Sequence, residues 1–146
     1  MANAIAEKTG VGPKVYYYLA DTGVEIFEWL DGYYPLSFGE IINEDLMTKI
    51  ITMISRYYNS GKVLPFKSTM FEQAWDMINR ASAGNYVSPW KDRMQILLHQ
   101  IEEAMNFDGI EFKPCHNDFW VNNMICNREA KDLKIIDFEY ASMSDP

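Results

Sequence analysis

Residues 116 to 123, HNDFWVNN, gather a histidine, an aspartate and two adjacent asparagines around two bulky aromatics, in a chain with only two histidines. Asp118 and Asn123 stand five residues apart, and fourteen residues beyond Asn123, at the end of the apolar run LKII, comes Asp137. Two carboxylates and a carboxamide at this spacing suit phosphoryl transfer. That chemistry needs a carboxylate to orient the attacking hydroxyl and oxygen ligands to hold Mg²⁺ against the phosphates. Mg²⁺ favours a site with few protein oxygens, the rest of its shell being phosphate and water. A plainer reading competes, because Asx side chains in loops commonly satisfy their own backbone.

Other side chains invite other chemistry. Cys115 beside His116 suggests a thiol with a base, or a zinc site completed by Cys126 and His99. Adjacent residues rarely aim a thiol and an imidazole at each other, and no pair here has zinc-ligand spacing, so burial is the expected fate of both cysteines. His99 reads as a partly exposed helix residue. Tyr16, Tyr17 and Tyr18, with Tyr57 and Tyr58, could cage a quaternary ammonium, but strand and helix spacing explains them first as core and boundary residues. Trp120 lies inside the polar loop and could face a substrate or the core.

The surrounding elements must position these groups. VGPKVYYYLA and VEIFEWL, separated by the turn residues ADTG at 20 to 23, read as a hairpin that opens the chain. Such a pair is marginal alone and leaves open edges, which invite self-association or a partner chain through strand pairing. Three helices follow. Leu46, Ile50, Met53, Ile54 and Tyr57 share one helical face behind Asn43 as cap, with Gly61 as the stop. Thr69 and Glu72 form a capping-box pattern ahead of Phe71, Ala74, Trp75 and Ile78. Ser88-Pro89 opens the third helix, with Trp90, Met94, Leu97, Leu98 and Ile101 expected inward and Gly109 near its end. After the polar loop, NMIC and LKIIDFEYA flank NREAKD as two short strands around a turn. Pairing them would bring Asn123 and Asp137 side by side.

Composition narrows the partners. A chain of 146 residues, 48% hydrophobic and 14% aromatic, has the material for one core. Its 13 basic and 21 acidic residues give a net charge of −8, the wrong sign for a nucleic-acid surface. A polyanionic small molecule would have to reach the acidic residues through a cation. No apolar run approaches the length of about eighteen residues that a membrane helix needs. The N-terminus lacks the pattern of a signal peptide and the cysteines lack CxxC spacing, so the expected compartment is the cytoplasm.

The loop His116-Asn117-Asp118-Phe119-Trp120-Val121-Asn122-Asn123 matches the kinase pattern H-x-D-x-x-x-x-N, and Asp137-Phe138-Glu139 stands where kinases have D-F-G. HNDFWVNNMI followed by LKIIDFEYASMSD resembles the choline and ethanolamine kinases, within the small-molecule kinases that include the aminoglycoside phosphotransferases. More weakly, GVGPKVYYYLADTGVEIFEWLDG is similar to the last N-lobe strands and the hinge of that family. The resemblance implies an α+β, protein-kinase-like fold in part: residues 1–30 as the end of the N-lobe with the hinge, and 31–146 as a partial C-lobe. It implies Asp118 as the base toward the substrate hydroxyl, Asn123 and Asp137 as Mg²⁺ ligands, and His116 as a brace for the loop. It also implies Glu28 and Leu30 as backbone contacts to adenine and Ile136 on the nucleotide side. ATP is then the co-substrate, and choline, ethanolamine or a related small amino alcohol the acceptor.

The family's nucleotide-covering loop, its phosphate-gripping strand lysine and the glutamate paired with that lysine would all precede residue 1. The aromatic walls of its ammonium pocket would follow Pro146. The chain therefore reads as the middle of a kinase. Two alternatives stay open: a non-catalytic remnant or binding module, and an aminoglycoside-type phosphotransferase.

Overall fold

The computed structural model describes residues 1–86, 88–129 and 131–146. Val87 and Ala130, the latter in the NREAKD turn, lie outside the described residues.

The chain begins with helix α1, Ala2–Lys8, which presses Ile5 and Ala6 into the core. Strands β1, Val15–Leu19, and β2, Val24–Phe27, form the expected hairpin, its turn closed by the Gly23 N–H on the Leu19 carbonyl at 2.8 Å. Gly23 sits at φ +67°, a conformation that costs glycine nothing. A two-residue strand β3, Tyr34–Pro35, and a short helix α2, Phe38–Ile41, lead to helix α3, Glu44–Tyr58. Asn43 caps α3 by accepting the Leu46 N–H at 3.0 Å, and Ile50, Met53 and Tyr57 face inward. Helix α4, Met70–Ala83, carries the full capping box of Thr69 and Glu72. Helix α5, Lys91–Asp108, lies against it, with the Trp75 indole N–H donating to Glu102 at 2.9 Å.

Beyond α5 the chain forms β4, Lys113–Cys115, the loop with a 3₁₀ turn at Val121–Asn123, then β5, Met124–Asn127, β6, Asp132–Ile135, and β7, Ser142–Ser144. Strands β3, β5 and β6 make one antiparallel sheet, while β7 pairs with β4. The core lies between α1, α3 and the β5–β6 pair: Ile5, Val11, Ile50, Met53, Tyr57, Met124, Leu133, Ile135 and Phe138 all belong to it. Among the described residues no helix is long and apolar enough to cross a membrane.

Gly12 matters to this packing. The N–H groups of Val11 and Gly12 both bond the Ala6 carbonyl, and the Val11 carbonyl accepts the Ile135 N–H at 2.9 Å, which ties the start of the chain to the end of β6. A methyl group added at Gly12 would stand 2.8 Å from the Ala6 Cβ, closer than two carbons pack. Gly12→Ala is therefore expected to destabilise the protein by about 2 kcal/mol through overpacking, read as a lower urea midpoint at unchanged slope.

Several expectations need correction. A helix, not the hairpin, opens the chain. Tyr16, Tyr17 and Tyr18 are 58, 55 and 50% exposed, since among the described residues β2 alone pairs with β1 and neither face of the hairpin is fully covered. On α5, which starts at Lys91 with Trp90 as its cap, Trp90, Met94, Leu97 and Ile101 are exposed instead of inward. Periodicity defines an apolar stripe on a helix, but burial also requires a partner for it.

Candidate active site

His116 organises the site. It is fully buried, stacked on Phe119 at 4.9 Å and edge-on to Phe138 at 4.5 Å. Its Nδ1 accepts the Asp118 N–H at 3.2 Å, which makes Nε2 the protonated nitrogen, and Nε2 donates to the Ile136 carbonyl at 2.9 Å. One imidazole thus links the loop to the residue just before Asp137. Burial pushes its pKa below the ordinary value, and the bond to Ile136 with the charges of Asp118 and Asp137 only partly offsets this. The ring is neutral, as a structural link in an apolar setting requires.

Asp118 and Asn123 face each other across the loop. The Asn123 side-chain amide donates to the Asp118 carboxylate at 3.0 Å and to its carbonyl at 3.2 Å. Asn123 is buried and Asp118 half-buried. With the amide nitrogen occupied, the Asn123 side-chain oxygen is left for another ligand. The β5–β6 register, Met124 opposite Ile135, continues as the Ile136 N–H on the Asn123 carbonyl at 2.9 Å. Asn123, just before β5, and Asp137, two residues beyond β6, therefore flank the same end of the strand pair. Asp137 is exposed, sits at φ +67°, and its carboxylate has no hydrogen-bond partner among the described residues. A left-handed aspartate is uncommon, and such residues concentrate at functional sites.

A cleft borders this point. Phe27, Glu28, Leu30, Ile125 and Ile136 line it, together with Asp137. The cleft joins three residues expected on the nucleotide side with one expected metal ligand. Its lining includes neither His116, which is buried, nor Asp118 and Asn123. The Glu28 N–H bonds the Lys14 carbonyl at 2.9 Å, whereas the Glu28 carbonyl and the Leu30 N–H have no backbone partner among the described residues.

Phe119 and Phe138 escaped sequence reasoning as the two faces of the His116 pocket, although their places in H-x-D-F and D-F-E were a usable signal. Ile125 had none, because its place at the cleft depends on strand register. Trp120 is half exposed and packs edge-on against Phe38 at 5.5 Å. The zinc and thiol alternatives gain nothing. Among the described residues no three His, Cys, Asp or Glu side chains gather as a metal site, and burial raises the Cys115 thiol to about 11. His99 is exposed and lies 3.5 Å from Glu103.

This layout, with a histidine-braced loop, a paired strand ending in aspartate and a cleft beside a hairpin, is that of the protein-kinase-like fold in part. A family model described as choline/ethanolamine kinase matches residues 1–145, and the chain belongs to that family. The Haemophilus influenzae protein LicA is 26% identical over 147 residues, covering 99% of this chain and 42% of LicA. A choline/ethanolamine kinase family protein from Mesorhizobium loti superposes with a TM-score of 0.80 at 20% identity, over 99% of this chain and 50% of that one. A LicA structure in complex with AMP gives a TM-score of 0.73 at 22% identity, over 98% and 48%. The chain spans about half the length of the relatives it matches.

Proposed function

We propose that this chain carries the catalytic half of an ATP-dependent kinase that phosphorylates the hydroxyl of choline or a related small amino alcohol. The observation that supports this reading is that the Asn123 amide holds the Asp118 carboxylate while the Asn123 carbonyl accepts the Ile136 N–H, which sets Asp137, at the edge of a cleft, next to the braced loop. Family membership and a relative solved with AMP support the nucleotide and the acceptor class.

Asp118 orients the acceptor hydroxyl and takes its proton as the new O–P bond forms and the bond from the γ-phosphorus to the bridging oxygen breaks, with ADP as the leaving group. Asn123 holds the Asp118 carboxylate in place through its amide nitrogen. The donor set fits Mg²⁺: the side-chain oxygen of Asn123 and the carboxylate of Asp137, neither hydrogen-bonded among the described residues, are two hard oxygens beside the same end of the β5–β6 pair, leaving room for phosphate and water. When bound, the ion would neutralise charge on the phosphates. The Glu28 carbonyl and Leu30 N–H offer an acceptor and a donor to the adenine edge, with Ile136 against its face. Residues 1–30 then serve the nucleotide side and 31–146 the catalytic side. The free thiols Cys115 and Cys126 suit a cytoplasmic enzyme.

The test is ADP release by the purified chain with Mg-ATP and, separately, choline, ethanolamine and an aminoglycoside. Choline- or ethanolamine-dependent release is the expected outcome. Release with the aminoglycoside alone would reassign the acceptor, and no release with any would overturn activity of this chain and leave it an incomplete or non-catalytic member of the family.

A further inference from the structure

Asp137 is the most exposed member of the candidate constellation and sits in a left-handed conformation, so something must hold it. His116 fixes the chain just before it, through the Ile136 carbonyl. The next residue, Asn117, fixes the chain just after it. Its side-chain amide donates to the Tyr140 carbonyl at 2.9 Å and to the Ser142 hydroxyl at 2.8 Å. Tyr140 lies in the turn that the Ala141 N–H closes on the Phe138 carbonyl at 3.1 Å, the turn that begins directly after Asp137. Two consecutive loop residues therefore grip the backbone on either side of the aspartate.

We infer that Asn117 is a positioning residue: it clamps the turn after Asp137 onto the loop that carries Asp118 and so sets the geometry between the two carboxylates. The inference rests on the proposed kinase reading for its catalytic consequence but not for the clamp itself. Asparagine suits the position for two reasons. Its φ of +65° is one that Asn tolerates better than most residues, and one amide nitrogen supplies both donors. The β4–β7 pairing, with Cys115 opposite Ser142, brings the two segments together but ends there. Among the described residues the strand pairing stops at Ser142, so it is the Asn117 amide that reaches Tyr140.

The test compares the full chain with Asn117→Gly and Asn117→Asp. Glycine accepts the left-handed backbone and deletes only the donors, so the fold should survive. Aspartate keeps the shape but sets a carboxylate against the Tyr140 carbonyl. In both variants amide exchange at Ala141 is expected to quicken about tenfold at a nearly unchanged melting temperature. With choline and Mg-ATP, kcat should fall by between about tenfold and a hundredfold at similar KM for ATP, since small misplacements carry such costs, and half-saturation by Mg²⁺ should move to higher concentration. Unchanged exchange at Ala141 would overturn the clamp. Faster exchange with wild-type kcat and Mg²⁺ response would overturn the positioning role. If the wild-type chain itself shows no turnover, the kinase reading fails separately and exchange alone decides the clamp.

Discussion

Asp118→Asn is expected to lower turnover by roughly a thousandfold while leaving the fold and nucleotide affinity almost unchanged. The reason lies in what the carboxylate does in the free protein. Its one described side-chain contact is the Asn123 amide at 3.0 Å, and an amide oxygen in its place still accepts that bond. The backbone contacts of Asp118, its N–H on His116 and its carbonyl toward Trp120 and Asn123, do not involve the side chain. What disappears is the negative charge and the proton acceptor, which matter only when a hydroxyl attacks phosphorus. ADP release with Mg-ATP and choline measures the first effect, and melting curves with and without nucleotide measure the second. Turnover within tenfold of wild type would remove Asp118 from the role of base and return it to the plainer reading of a loop residue. A large loss of melting temperature would mean the contact to Asn123 needs the charge.

That the loop was legible at all follows from chemistry. The proposed phosphoryl transfer constrains residue type and spacing together, so His116, Asp118, Asn123 and Asp137 could be picked out as candidates in a single sequence. The strand pair behind them was equally readable, because NMIC and LKII are apolar runs around a polar turn, and β5 and β6 pair as that pattern implies. Other elements left no such trace. β3 has two residues and β4 and β7 three each, too short for a period to repeat. Helix α1 has seven, and its burial depends on the close approach of Gly12, which a glycine between Val11 and Pro13 does not declare. The α5 stripe and the tyrosines of β1 fail for a different reason. Their periods are real, but whether a stripe is covered depends on neighbours that local sequence does not specify.

The largest stability effect is expected at His116. His116→Ala should cost roughly 3 to 5 kcal/mol, because it opens a cavity between Phe119 and Phe138 and leaves the Asp118 N–H and the Ile136 carbonyl without their partner. His116→Phe separates the two contributions, since it keeps the aromatic contacts and loses only the hydrogen bonds. It also tests protonation. Burial depresses the His116 pKa in the fold, so the unfolded chain binds the proton more readily. The sign follows: this contribution to stability is complete above the ordinary histidine value of about 6.5 and is lost as pH falls from there through the depressed folded value. Urea unfolding at pH 8 and pH 5.5 should therefore show a fall in stability for wild type that is smaller in His116→Phe. Carboxylate titration is common to both proteins and cancels in the comparison. Equal falls would mean that His116 takes up its proton in the folded protein as readily as in the unfolded chain. A ring charged in that way would lose its acceptor at Nδ1, and the loop would have to be held by something other than the bond from the Asp118 N–H.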